Sequence, residues 1–220
     1  MGTIRSALDQ EMRAIRDHIL TLGSLVDQAI NRSFAALLMQ DGERAQEAIN
    51  DDVRLDDLRY QIEGKITATI ARQQPMARDL RLLVADLLIT NELERMGDHA
   101  EGIARVVLRA NGSPIDIPHE LRGMKGKAHL MIRLAMEALV DADAAKARET
   151  ARLDDEMDAL YHQLFAQCVA DMQANRLTVE QGTYLLWVGH NLERIGDRAT
   201  NICERIIYAC TGDVRKLNVK

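Results

Sequence analysis

The chain has 220 residues, 47 % hydrophobic and 28 % charged, with a net charge of −6 and only 3 % aromatic residues. That is apolar material for one large core or two small ones, and an acidic balance without a basic tract argues against nucleic acid or an anionic membrane as partner. No uncharged stretch reaches the roughly 18–20 residues of a membrane span; Asp86 interrupts the longest apolar run, residues 82–89.

Only three prolines are present, and Ala, Leu, Arg, Glu, Met and Gln, all good helix formers, dominate the rest. The fold class expected is all-α. The start, Met-Gly-Thr-Ile-Arg-Ser, turns polar at once and does not read as a secretory signal. Cys168, Cys203 and Cys210 lack C-x-x-C spacing and read as free buried thiols of a reducing compartment.

The first helix is expected from about Ser6 to Gln40, because Leu8, Met12, Ile15, Ile19, Leu22 and Val26 recur by threes and fours. Ser6 with Asp9 resembles an N-terminal cap. After the Asp41-Gly42 turn, a second helix is expected over about Glu43 to Gln73, with Asp51, Asp52, Asp56 and Asp57 in its first third. Pro75 ends it and suits the first position of a third helix running to about Ala110. That third helix carries Asn91, Glu94, Asp98 and Glu101 on one stripe. Asn111-Gly112-Ser113-Pro114 reads as a left-handed cap followed by a linker. It divides the chain into residues 1–112 and 113–220.

The second part repeats the plan, with helices expected over about Glu120–Val140, Ala144–Ala174 and Thr178–Cys210. Thr178-x-x-Gln181 has the form of a capping box. Leu93-Glu94-Arg95-Met96-Gly97-Asp98 recurs 99 residues later as Leu192-Glu193-Arg194-Ile195-Gly196-Asp197. The aspartates at 52 and 56 fall opposite Asp154 and Asp158, and Tyr60 falls near Tyr161. Two copies make a duplication of a three-helix unit, not a solenoid.

Like charges at i and i+4 destabilise a bare helix by roughly 0.2–0.5 kcal/mol. The middle-helix and last-helix motifs lie about 20 residues either side of the turn between them, roughly 30 Å at ~1.5 Å per residue. Antiparallel neighbours therefore bring four carboxylates to one height in each half: Asp52, Asp56, Glu94 and Asp98, then Asp154, Asp158, Glu193 and Asp197. Oxygen-only ligands suit hard cations such as Mg²⁺, Ca²⁺, Mn²⁺ or iron. Arg95 and Arg194 offer the plain alternative of a solvated, ion-paired face. In the middle helices Asp51, Asp57 and Asp155 compete for the same role. Glycine inside each motif, Gly97 and Gly196, costs a helix about 1 kcal/mol against alanine and points to a close approach. A ferritin-like di-iron oxidoreductase or iron store is the alternative reading, but it needs Glu-x-x-His, and no histidine here follows a glutamate by three. His162 and His190 are candidate extra ligands only by proximity to Asp158 and Glu193.

The paired phrases, the Gln74-Pro75-x-x-x-Asp79-Leu80-Arg81 run and Leu22-Gly23 resemble the PhoU family of bacterial phosphate-transport accessory proteins, over about residues 12–212. The resemblance implies two tandem, pseudo-symmetric three-helix bundles in a cytoplasmic, often homodimeric protein. It implies iron, zinc or Mg²⁺/Mn²⁺ at the eight carboxylates above, with Asn201 as a neighbour of the second site and Gly102 as its unequal counterpart. It implies a regulator, not an enzyme. Such a regulator couples the phosphate ABC transporter (its ATPase subunit PstB) to the sensor histidine kinase PhoR and keeps the phosphate-starvation response off when phosphate is plentiful.

Overall fold

The structure, a computed structural model, describes residues 2–110 and 115–213, with side chains from residue 7 onward. Among the described residues eight helices follow in order: α1 Gly2–Met39, α2 Gly42–Asn50, α3 Asp52–Gln73, α4 Arg78–Ala110, α5 His119–Asp141, α6 Ala144–Ala151, α7 Asp154–Gln173 and α8 Val179–Thr211. No strand occurs among the described residues. The expected boundary between residues 112 and 113, and the Asn111-Gly112 cap, lie outside them.

α4 and α8 run antiparallel through the centre, with α1, α2 and α3 on α4 and α5, α6 and α7 on α8. Each half is thus a three-armed bundle, as the repeat implied. The buried side chains nonetheless form one continuous core from Leu8 to Ile207, with Ile19, Leu22, Leu93, Ile103, Leu192 and Ile202 fully buried. The α4–α8 seam is part of that core.

The caps repeat as the sequence does. Gln40 and Ala142 take left-handed conformations, with φ of 52° and 49°. Asp41 and Asp143 then cap α2 and α6, accepting from Arg44 N and from Ala145 N and Lys146 N. The Thr178–Gln181 capping box is fully formed.

Four expectations need correction. α1 already runs from Gly2, so Ser6 lies inside the helix and not at its N-terminus. α4 starts at Arg78, not at Pro75; Ala77 at φ 49° turns the chain first. Cys168 and Cys203 are buried, but Cys210 is exposed, its Sγ donating to Ala142 O at 3.2 Å. Most important, each middle helix is two helices. The break is a short tightened turn, with Arg54 N bonding Asp51 O at 3.1 Å in the first half, and Leu153 N and Asp155 N bonding Thr150 O and Arg152 O at 3.1 and 3.3 Å in the second. These are three-residue closures in place of four. Asn50 and Asp51, whose short polar side chains compete with the backbone, favour such a break in the first half; Ala151-Arg152-Leu153 carries no comparable signal.

Candidate metal centres

The breaks move the aspartates from mid-helix to a helix start. Asp52 occupies the first turn of α3, and Asp154, Asp155 and Glu156 the first turn of α7. The partial positive charge of a helix N-terminus favours carboxylates there, by about 0.3–1 kcal/mol each. That offsets part of the cost of gathering like charges.

Gly97 and Gly196 are where these helix starts touch the central helices. A Cβ on Gly97 would lie 3.3 Å from Asp52 Oδ1 and 3.0 Å from Leu55 Cδ1. On Gly196 it would lie 3.4 Å from Asp154 Oδ1 and 3.2 Å from Met157 Cγ. Both motif glycines admit an aspartate oxygen against the facing helix. The same contacts set the register of the middle helices at 102 residues, which places Arg59, not Tyr60, opposite Tyr161. Tyr60 is exposed and stacks under Arg59 at 4.9 Å.

Burial sets two of the competing aspartates apart. Asp52 and Asp56 are half-buried and Asp57 is exposed; Asp154 is buried, Asp158 half-buried and Asp155 exposed. Asp51 is bound instead by Arg32, with Arg54 at 3.8 Å. In the first half the Asp52 carboxyl is pushed up to about 6, first by burial and then by the charges of Glu101, Asp56, Asp98 and Glu94. Burial and then Asp98 raise Glu94, with Arg59 and Arg95 opposing; burial also raises Asp98, opposed first by His99. Glu101 is thus a fifth member of the cluster, held by Arg105 Nη2 at 2.6 Å. Its place on the Asn91–Glu101 stripe was the available signal.

In the second half, Asp154 is 1 % exposed. Arg194 Nη1 donates to Asp197 Oδ2 at 2.6 Å, and His190 Nδ1 lies 3.7 Å from Glu193 Oε2. Burial and then the Glu193 charge raise the Tyr161 hydroxyl, placing that ring beside Glu193. Asn201 faces the seam: its Nδ2 donates to Glu92 Oε2 at 3.1 Å, which Arg198 Nη1 also reaches at 3.3 Å.

Among the described residues no three His, Cys, Asp or Glu side chains are grouped to hold one metal ion as they stand. The donor chemistry still fits a hard cation. The first cluster is all oxygen, its charges already raise one another's proton affinity, and Asp98 is exposed and can swing.

A family profile described as the PhoU domain matches residues 19–107 and again 121–206. A "Phosphate-specific transport system accessory protein PhoU homolog" of Clostridium acetobutylicum is 37 % identical over 216 residues, covering 97 % of this chain and 99 % of that protein. A homologue of the same description from Rhizobium meliloti is 38 % identical over 214 residues, covering 95 % and 89 %. The crystal structure of the phosphate transport system regulatory protein PhoU from Streptococcus pneumoniae superposes with a TM-score of 0.89 at 30 % identity, covering 94 % of this chain and 99 % of that one. PhoU from Pseudomonas aeruginosa gives 0.88 at 29 %, covering 93 % and 99 %.

Proposed function

This chain belongs to the PhoU family, and from that premise we propose that it is a metal-binding regulator of phosphate uptake, an adaptor and not a catalyst. It works in the cytoplasm, as a homodimer, between the ATPase subunit PstB of a phosphate ABC transporter and the sensor kinase PhoR, and represses the phosphate-starvation response. The family assignment supports the phosphate role; no helix among the described residues is long and apolar enough to cross a membrane.

The observation that carries the metal part is the doubled junction of an aspartate oxygen against a motif glycine, Asp52 on Gly97 and Asp154 on Gly196. Asp52, Asp56, Glu94 and Asp98 would hold a cation in one half, and Asp154, Asp158, Glu193 and Asp197 in the other. A bound iron, zinc, Mg²⁺ or Mn²⁺ would neutralise these acids and tie α3 to α4 and α7 to α8. Asn201 could join the second site only by giving up its Glu92 contact.

The test combines Asp98→Ala with Asp197→Ala. Elemental analysis of the purified variant should find metal content sharply reduced, and a phosphate-starvation reporter should be derepressed in phosphate-rich medium. Full metal content would overturn the site assignment. An unchanged reporter in a strain lacking the protein would overturn the regulatory role.

A further inference from the structure

A cavity of about 390 Å³ opens between α1 and the start of α4, far along α4 from the carboxylate cluster. Met12 and Leu82 line it with apolar surface, and Arg13, Arg16 and Arg78 contribute three guanidinium groups. Asp9 and Asp79 share the wall. In a chain of net charge −6, three arginines gathered on one cavity wall are a local concentration of positive charge.

Two of the arginines are anchored from behind. Arg16 Nε sits 3.6 Å from Asp86 Oδ2, a carboxylate only 1 % exposed. Arg13 Nε donates to the Asp9 carbonyl at 3.1 Å. A guanidinium has five N–H donors in a planar fork, of which Nε supplies one. The Cys210 thiol at the end of α8 feels Arg16, Arg78 and Arg81 together, along with Asp143. Arg81 also lies over the α8 cap, its Nη1 2.6 Å from where a Cβ on Gly212 would stand. Residues of α1 and α4 therefore converge at the α8 terminus as one basic corner.

We propose that this cavity binds a phosphoryl dianion, either free inorganic phosphate or the phosphate of a small phosphomonoester. A carboxylate has two oxygens, which one guanidinium satisfies bidentately. Three guanidinium groups approaching from two helices match the three terminal oxygens of a phosphoryl group. The apolar wall of Met12 and Leu82 lowers the local dielectric and strengthens each charge–charge contact. The inference rests on neither the metal sites nor the regulatory role.

The experiment is titration calorimetry of the full chain in phosphate-free buffer, with inorganic phosphate and AMP as separate probes and acetate as a control anion. Saturable binding of either phosphate probe, without acetate binding, is expected. Arg13→Gln with Arg78→Gln, both exposed positions, should weaken it by roughly tenfold or more, an affinity loss easily resolved. Arg122→Gln on α5 should leave it unchanged. Asp98→Ala with Asp197→Ala should also leave it unchanged, which separates this cavity from phosphate captured by a cation in the carboxylate clusters. Which probe binds tells free phosphate from a phosphomonoester. No saturable binding of either probe, equal affinity in the Arg13/Arg78 variant, or loss in the Asp98/Asp197 variant overturns the proposal.

Discussion

In the first half Asp52 is half-buried beside Asp56, Glu94, Asp98 and Glu101, and its carboxyl is pushed up to about 6. In the second half the equivalent Asp154 is fully enclosed, Arg194 holds Asp197, and His190 stands near Glu193. The seam repeats the contrast. Glu92, Arg198 and Asn201 form a charged knot across α4 and α8. At the pseudo-equivalent place His99 meets Asn191 Oδ1 at 3.1 Å over Gly102, where a Cβ would come within 2.7 Å of that oxygen. Asp86, buried in α4 with Arg16 nearby, has Leu185 as its counterpart in α8. Duplication kept the backbone plan and let the two halves diverge in charge and burial, and the first cluster is the more open.

The largest expected effect comes from closing the junctions. Gly97→Leu and Gly196→Leu each force bulk against an aspartate and a core side chain, and overpacking of that kind costs about 3 kcal/mol. Denaturant unfolding should register the loss, and elemental analysis should find metal lost only from the altered half; a stable Gly97→Leu protein with full metal content would break the equivalence of the halves.

Next is Asp86→Leu, which makes the first half resemble the second. Asp86 has its folded pKa raised to about 6 by burial, against an ordinary 3.8, with Arg16 opposing. A carboxyl raised on folding binds its proton more tightly in the native state, so it penalises stability above pH 6 and the penalty fades as pH falls towards 4. Asp86→Leu should therefore stabilise the protein by about 2 kcal/mol at pH 7.5. It should also flatten the rise in stability between pH 7 and 4. A loss of stability at pH 7.5 would mean that the Arg16 pair outweighs its own burial.

Glu92→Ala leaves Arg198 largely buried without its acid, and should cost about 1–2 kcal/mol. Asn191→Ala, on the neutral side, should cost less, and chemical denaturation of the pair measures the difference. The smallest effect separates the caps. Asp143 accepts two backbone N–H groups and Asp41 one, so Asp143→Ala should lower Tm slightly more than Asp41→Ala. Calorimetric scans of the two variants settle the order.

Much of this was legible in residue order. Apolar spacing predicts the long helices, the doubled Leu-Glu-Arg-x-Gly-Asp phrase predicts the repeat, and Gly97 and Gly196 announce a close approach. Local chemistry also predicts the Thr178–Gln181 cap, because a cap depends on residues three apart. The break at Arg152–Leu153 was not legible, and at Asn50-Asp51 only the short polar side chains hinted at one. Neither carries Gly or Pro, and the tightening depends on the central helix that the next segment must meet. The sequence pointed to Asp52 and Asp154 but left Asp51 and Asp155 competing, and one residue along a helix turns a side chain by about 100°.

Sequence alone therefore determined the helical stretches, their repetition and the residue types available to a site, because these follow from propensity and period; it did not show that each middle helix is two. Tertiary structure decided which carboxylates meet, that Glu101 joins them, that Asn201 and Arg198 serve the seam, and that Arg13, Arg16 and Arg78 share a cavity. Each of those depends on how α1, α4 and α8 lie against one another, and contacts between segments far apart in the chain leave no local pattern to read.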